Sequence, residues 1–292
     1  MTFGYRYQES YLHFVGTVAS KATGPQTGNV YHLLDLGIER QISRRWSVFG
    51  SIPVVFSHRD QLYPPAAKVV VNSFSDASVG ARAWIFKPPT ESGDNISVGM
   101  SLKIPTGAYN LATPAVSGGK TIIATADQSI QPGDGGTGFT VDIQGYKRTP
   151  FRTELYFVGL YLFNPRDTTG VSTFRRQNGE QIMSVTDQYL FRGGIGRALP
   201  KVRGLAGSIG GRIEGVPVRD AIGGSTGFRR PGYAISVDPG LLYSRGTYSF
   251  SANVPVAVER NRKRSLSDYM NNAHGDAAFA NYAIIVSMSK RF

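Results

Sequence analysis

Hydrophobic residues alternate with small or polar residues in short segments along the chain, and turn-forming residues separate these segments. In the last segment, positions Tyr282, Ile284, Val286 and Met288 share one side, counted back from the terminal Phe292. This two-residue period predicts a β-strand with one face for lipid and the other for water. A terminal aromatic residue on such a strand is typical of bacterial outer-membrane β-barrels. We therefore interpret these five residues as an insertion signal for the barrel-assembly machinery.

The same alternation predicts twelve strands along the whole chain. We place them near residues 2–10, 29–41, 45–57, 74–86, 94–104, 136–147, 151–163, 182–196, 203–215, 232–244, 247–258 and 277–292. The connections alternate between short turns and long loops. An even strand count with this alternation predicts a transmembrane, antiparallel, up-and-down β-barrel of the all-β class, formed by residues 1–292 as one domain. Both termini should be periplasmic, and the long loops 21–28, 104–135 and 259–276 should be extracellular.

A soluble β-sandwich is the alternative, because its strands also alternate in order to bury one face. The composition favours the barrel. Charged residues make up 18% of the chain, against about 25% in soluble domains, and no apolar run is long enough for a membrane helix. The absence of cysteine excludes disulfide bonds and thiolate metal sites. The first residues lack the features of a leader, so we interpret the sequence as a mature chain whose signal peptide is absent.

The formal net charge of +12 raises the question of a nucleic-acid partner. The basic residues are spread over strand ends and loops without a recognition module, so we predict no nucleic-acid binding and expect contacts with outer-membrane lipid and lipopolysaccharide. One run is a candidate contact with an anionic surface or a partner protein, although a solvated loop is the simpler interpretation. It comprises Arg260, Arg262, Lys263 and Arg264.

Sequence motifs for catalysis are weak. The segment 118–121 (Gly-Gly-Lys-Thr) resembles the end of a phosphate-binding loop, but it lacks the first glycine and the following helix. The four histidines, His13, His32, His58 and His274, do not have metal-ligand spacing. We therefore predict a protein that is not an enzyme and has no metal site or cofactor, with a barrel hydrolase as a distant alternative.

The strand register projects charged residues of both signs into the barrel interior, because charges facing lipid would each cost about 2–4 kcal/mol at the bilayer midplane. They could form an ion-pair network that fills the barrel, or line a polar, weakly charge-selective pore. The predicted lumen-facing residues are Arg6, Asp35, Glu39, Arg82, Lys103, Asp142, Glu154, Arg192, Arg212, Glu214, Asp238 and Glu259.

Several segments resemble, in the same order, the outer-membrane family named for the meta-pathway of phenol degradation. They are residues 35–48 (Asp-Leu-Gly-Ile-Glu-Arg-Gln-Ile-Ser-Arg-Arg-Trp-Ser-Val), 51–55, 75–76, 79–82, 101–107, 131–133 and the last two strands. The resemblance implies a channel for the passive passage of small solutes, including hydrophobic or aromatic ones. The insert 110–129 and the basic run raise the alternative of a structural barrel that anchors, or is plugged by, partner proteins at the cell surface or in the periplasm.

Overall fold

The computed structural model describes residues 1–20, 27–61, 67–86, 93–117, 120–173 and 175–292. Twelve antiparallel strands form a closed barrel, which confirms the predicted fold class and strand number. The strands are β1 (Thr2–Val15), β2 (Gly28–Gln41), β3 (Trp46–Gln61), β4 (Ala67–Phe74 and Ala77–Trp84), β5 (Asp94–Ile104), β6 (Gly138–Thr149), β7 (Thr153–Phe163), β8 (Gln188–Ala198), β9 (Leu205–Val216), β10 (Gly232–Val237 and Gly240–Arg245), β11 (Tyr248–Asn253 and Val256–Arg262) and β12 (Ala277–Lys290).

The first and last strands pair with each other and close the sheet. Thr2 lies opposite Ser289, and the ladder continues to Phe14 opposite Ala277, with two irregularities in its register. Closure gives each of these two strands a partner on the edge that an open sheet would leave unpaired toward lipid, where an unsatisfied backbone group would be costly.

Short turns gather at one end of the barrel and long loops at the other. The long loops carry two hairpins, Ala112–Ser117 with Lys120–Thr125 and Thr168–Ser172 with Ile182–Ser184, and one short helix, Leu266–Met270. The predicted long connections 104–135 and 259–276 both lie at the long-loop end. Within the first predicted loop, residues 21–26 lie outside the described residues, as do Gly118 and Gly119 of the glycine-lysine motif. In the described ranges, no helix is long and apolar enough to cross a membrane.

The two faces of the wall differ as the alternation predicts. On β5, Met100 and Leu102 are exposed on the outer wall, whereas Ser97 and Lys103 are buried on the inner one. On β12, Tyr282, Ile284, Val286 and Met288 are all exposed along one face, and Phe292 is 93% exposed. The outer wall is therefore an apolar surface that needs lipid or another apolar cover.

One seam of the wall is incomplete. The pairing of β11 with β12 ends at Val256 opposite Tyr282, and Ala257 to Arg262 pair only with β10. Instead of a backbone ladder, the Arg260 guanidinium donates to the Ala280 carbonyl and to the Asn281 side chain, at 3.3 and 2.8 Å. The seam is closed above by backbone hydrogen bonds between Gly16 and Arg262.

Candidate functional site

The interior of the barrel is crossed by an ion pair between distant parts of the chain. Arg6 on β1 contacts Glu214 on β9, with 2.9 Å from Nη2 to Oε1. These strands are not neighbours in the sheet, so the two side chains meet inside the barrel. Arg212 also donates to Glu214, at 2.6 Å, so two guanidinium groups share one carboxylate.

A second pair lies between β4 and β6, where Arg82 contacts Asp142 at 2.8 Å. The strand between them, β5, carries Gly99 at this level, and a Cβ there would collide with the Asp142 carboxylate. The missing side chain is what allows the ion pair to form across the intervening strand.

Two further lumen cations also have acidic partners. Arg192 on β8 lies 3.5 Å from Asp238, which is fully buried and accepts from Asn253 at 3.2 Å. Lys103 on β5 contacts Asp134 at 2.5 Å and Asp76 at 3.6 Å. Asp134 precedes β6 in a long loop, so Lys103 ties that loop to the wall.

The remaining predicted lumen carboxylates have different surroundings. Asp35 on β2 has a buried Oδ1 atom that lacks a hydrogen-bond partner among the described residues. Glu39 accepts from Ser47 at 2.5 Å near the short turns, and Glu154 is exposed at the same end of the barrel. Among the described residues, neither Glu39 nor Glu154 forms an ion pair with a lumen cation.

The prediction that Glu259 faces the lumen is wrong. Ser236 lies opposite Ala257 and lines the interior cavity, whereas Ile235 lies opposite Glu259. Val258 is therefore an extra residue in β11, and a bulge of this kind reverses the alternation beyond it. Glu259 lies on the outer side, where it accepts from the Tyr233 hydroxyl at 2.8 Å.

A long-loop segment is held inside the barrel by Asp127. This carboxylate receives two hydrogen bonds of 3.0 Å from Arg230 and lies 3.6 Å from Arg59. Although burial opposes its charge, these two guanidinium groups hold the pKa of Asp127 well below its usual range. The turn Gln128–Ile130 that follows is fastened by Ser57, which donates to the Ile130 carbonyl at 3.0 Å.

The long loops also pack on one another and form a cap over this end. Arg229 and Asp220 form a fully buried ion pair of 2.6 Å, and Arg229 also donates to Ser184 at 2.7 Å. Asp187 is fully buried and accepts from the Tyr161 hydroxyl and from the backbone N–H of Asn164. Sequence reasoning missed these residues, and the only local signal is the pair Arg229-Arg230 before a proline.

Beneath the cap, two cavities of about 600 and 610 Å³ share several lining residues and so form one chamber. Arg6 and Glu214 lie at its lower side, and Arg229 and Arg230 line its upper side. Its wall combines polar side chains, such as Gln8, Gln131 and Gln188, with apolar and aromatic ones, namely Tyr31, Leu33, Leu160, Leu162, Val216, Ala234 and Phe279.

The basic run is part of the loop structure and not a free cationic surface. Arg262 is only 1% exposed and pairs with Asp268 at 3.1 Å, so its predicted contact with an anionic surface is wrong. The cause is the helix Leu266–Met270, whose capping box joins Ser265 to Asp268 and turns the Asp268 carboxylate toward Arg262. Arg264 donates to the carbonyls of Ala273 and Asp268, and Lys263 is exposed beside the Tyr233 ring.

His13 on β1 joins the first loop to the residue that precedes β12. Its Nδ1 lies 2.6 Å from the Asp276 carboxylate, and its Nε2 lies 2.9 Å from the Thr27 carbonyl. Both partners accept hydrogen bonds, so the ring donates from both nitrogens and is cationic. In the described part of the chain, no group of three or more histidine, aspartate or glutamate side chains could hold a metal ion.

The comparisons place the fold among outer-membrane barrels. No family model and no curated protein matches the sequence. Among solved structures, an outer-membrane channel from Pseudomonas putida F1 is similar, with a TM-score of 0.67 and 11% identity over 100% of this chain and 94% of that one. The β domain of the Bordetella autotransporter BrkA is similar as well, with a TM-score of 0.53 and 13% identity over 100% of this chain and 99% of that one.

Proposed function

We propose that this protein is a bacterial outer-membrane channel for small solutes and that it admits solutes with an apolar or aromatic body. The apolar outer wall and the fold shared with outer-membrane barrels support the location. The long loops then face the cell exterior, and the short turns and both termini face the periplasm. The sequence resemblance to the phenol-degradation family agrees with this assignment.

The chamber beneath the cap is the observation that carries the proposal. A barrel interior in contact with water is expected to be polar, and the lower lumen here holds ion pairs. The chamber instead presents Leu33, Leu160 and Phe279 to open space. Apolar side chains that enclose a cavity, with a few polar groups at its ends, are the usual lining of a site for an apolar ligand.

Uptake of N-phenylnaphthylamine by intact cells tests this proposal, because lipopolysaccharide excludes this apolar fluorescent probe. Cells that produce the protein should take up the probe faster than cells that do not. The double variant Leu33→Asn and Leu160→Asn, which keeps size and adds polarity, should abolish the gain. Gln188→Leu, which replaces a polar side chain of the same chamber with an apolar one, should preserve the faster uptake. Equal uptake with and without the protein would contradict the proposal.

A structural barrel occupied by its own loops or by a partner is the second candidate function. The inserted turn beside Asp127 and the ion pair between Arg6 and Glu214 favour it, because both narrow the passage. Planar-bilayer recordings separate the two functions. Conductance that increases in Arg230→Gln, which frees the inserted turn, would favour the channel, whereas a silent variant would favour the structural barrel.

A further inference from the structure

The excess positive charge of the protein is concentrated at the short-turn end of the barrel. In the described part of the chain, twelve basic side chains lie there against three acidic side chains, Glu39, Asp94 and Glu154. The formal net charge of the full sequence is +12. We call these twelve residues the basic rim. They are Arg40, Arg44, Arg45, Lys147, Arg148, Arg152, Arg197, Lys201, Arg203, Arg245, Lys290 and Arg291.

The cations at the two ends of the barrel have different partners. At the long-loop end, Arg59, Arg175, Arg229, Arg230 and Arg262 all form ion pairs with carboxylates. Every member of the basic rim is exposed except Lys290, which is half-buried. Leaving Arg44 aside, no ion pair joins the rim cations to another residue in the described ranges. A row of exposed like charges repels itself, so the folded protein alone gains nothing from this arrangement.

Exposed apolar side chains lie beside the rim cations at the described short turns. Phe151 is 85% exposed between Arg148 and Arg152, and Trp46 is 56% exposed beside Arg45. The same combination recurs at the other short turns and at the C-terminus, with Ile42, Phe86, Leu199, Val202, Tyr248 and Phe292. Aromatic rings and long cationic side chains side by side are typical of the boundary between lipid tails and head groups.

We propose that the basic rim binds anionic phospholipid head groups, such as phosphatidylglycerol, in the periplasmic leaflet of the outer membrane. The charge complements a phosphate layer, and each cation at such a surface contributes about 1 kcal/mol. The distribution favours lipid over a protein partner, because the rim residues lie at four short turns, β2–β3, β6–β7, β8–β9 and β10–β11, and beside Phe292, whereas a single partner would occupy one sector.

A groove at this end fits one phospholipid in particular. A cavity of about 930 Å³ is lined by two cations, Arg45 and Lys147, and one carboxylate, Asp94, together with the apolar side chains of Ile85, Ile96, Leu155 and Phe157. The two cations would contact the phosphate, and the apolar side chains would contact the acyl chains. This arrangement extends the proposed membrane location and does not depend on whether the lumen conducts.

Trp46 provides a direct test, since the chain has only two tryptophans and Trp84 can be replaced. Trp84 packs against the Tyr146 ring at 5.9 Å between centroids, so Trp84→Phe keeps an aromatic ring there. This variant is reconstituted in phosphatidylcholine vesicles that contain a minor fraction of either dibrominated phosphatidylglycerol or dibrominated phosphatidylcholine. Brominated phosphatidylglycerol should quench Trp46 more strongly, with an apparent preference of about fivefold for each cation in contact, and added salt should reduce the preference.

The rim variant Arg40→Gln, Arg45→Gln and Lys147→Gln, in the same background, should quench equally with both lipids while remaining heat-modifiable. The matched control, Arg176→Gln, Arg219→Gln and Lys263→Gln, removes the same charge from exposed residues at the long-loop end and should keep the preference. Equal quenching before any rim substitution would overturn the proposal, and so would a loss of preference in the control. Uptake of N-phenylnaphthylamine should be unchanged in the rim variant, so failure here is distinguishable from failure of the channel proposal.

Discussion

Gly99 lies directly beneath the carboxylate of Asp142, so closely that any side chain at this position would displace the carboxylate from Arg82. Gly99→Ala should therefore destabilise the barrel by about 1–3 kcal/mol, the usual cost of disturbing a charged hydrogen bond in a partly buried site. Urea unfolding followed by tryptophan fluorescence measures the change. Gly207→Ala is the matched control, because a Cβ there meets only one atom, at 4.0 Å, and a similar loss in this control would contradict the explanation.

Glu214 provides the only carboxylate in ion-pair contact with Arg6 and Arg212 among the described residues. Glu214→Gln should leave two guanidinium groups without a counter-charge inside the barrel. The reversal potential in a salt gradient should then shift toward anion selectivity. Glu39→Gln removes the same charge near the short turns and should shift it less. An unchanged potential in Glu214→Gln would mean that ions do not pass this pair.

The stability of the cap should depend on pH, because several of its carboxylates have lowered pKa values. Burial opposes the charge of both Asp127 and Asp268, but their partners outweigh it. Arg230 and Arg59 lower the pKa of Asp127. Backbone hydrogen bonds from Ser265 and Gly275, together with the charge of Arg262, lower the pKa of Asp268. Hydrogen bonding to His13 lowers the pKa of Asp276. A carboxylate with a lowered pKa stabilises the fold fully above its unfolded pKa, near 4, and this stabilisation is lost as the pH falls through the folded pKa.

The long loops should therefore resist limited proteolysis equally at neutral pH and at mildly acidic pH. Their cleavage should begin only below about pH 4. An acid-stable protease such as pepsin suits the acidic range. Asp127→Asn should weaken the cap at neutral pH and reduce the additional effect of acid. Cleavage that is independent of pH in the unchanged protein would refute this role of the carboxylates.

The C-terminal row should direct insertion, because Phe292, Met288, Val286 and Ile284 lie exposed along one face of β12. Removal of Phe292 should reduce the amount of heat-modifiable protein in the outer membrane, while Phe292→Tyr should preserve it, since both rings suit the membrane interface. Quantitative immunoblots of membrane fractions measure this. Full insertion without Phe292 would show that the row contacts lipid without acting as a signal.

The orientation can be tested with single cysteines, because the chain has none of its own. A membrane-impermeant maleimide should label Gln177→Cys, in a long loop, on intact cells. It should label Lys201→Cys, in a short turn, only after the outer membrane is permeabilised. The reverse pattern would invert the proposed topology and place the basic rim at the cell exterior.

The strands could be predicted from the sequence because a two-residue period is a local signal, and each wall strand repeats it. The same period predicts that Arg82 and Asp142 share one side of the wall, and the two side chains form an ion pair across the regular strand between them. Glu259 could not be assigned in this way. A single extra residue, Val258, reverses the alternation, and nothing in the local composition marks it.

The cap could not be predicted from local sequence patterns, because its contacts join residues that are far apart in the chain. Asp127 and Arg230 are 103 residues apart, and their contact depends on how two loops fold toward each other. The predicted long loop 104–135 includes Asp134, but the sequence does not indicate that Lys103 would hold this loop. Arg262 looked like a solvated cation because its partner Asp268 is turned toward it only after the short helix has formed.

The pairing of β1 with β12 also sets the order of events in biogenesis. Thr2 through Phe14 pair with Ala277 to Ser289, which are synthesised long after them. Until these partners are made, the first strand has no permanent neighbour on one side, and the nascent wall is an open sheet prone to pairing with other chains. A chain that stops before Ala277 would therefore lack the strand that closes the barrel.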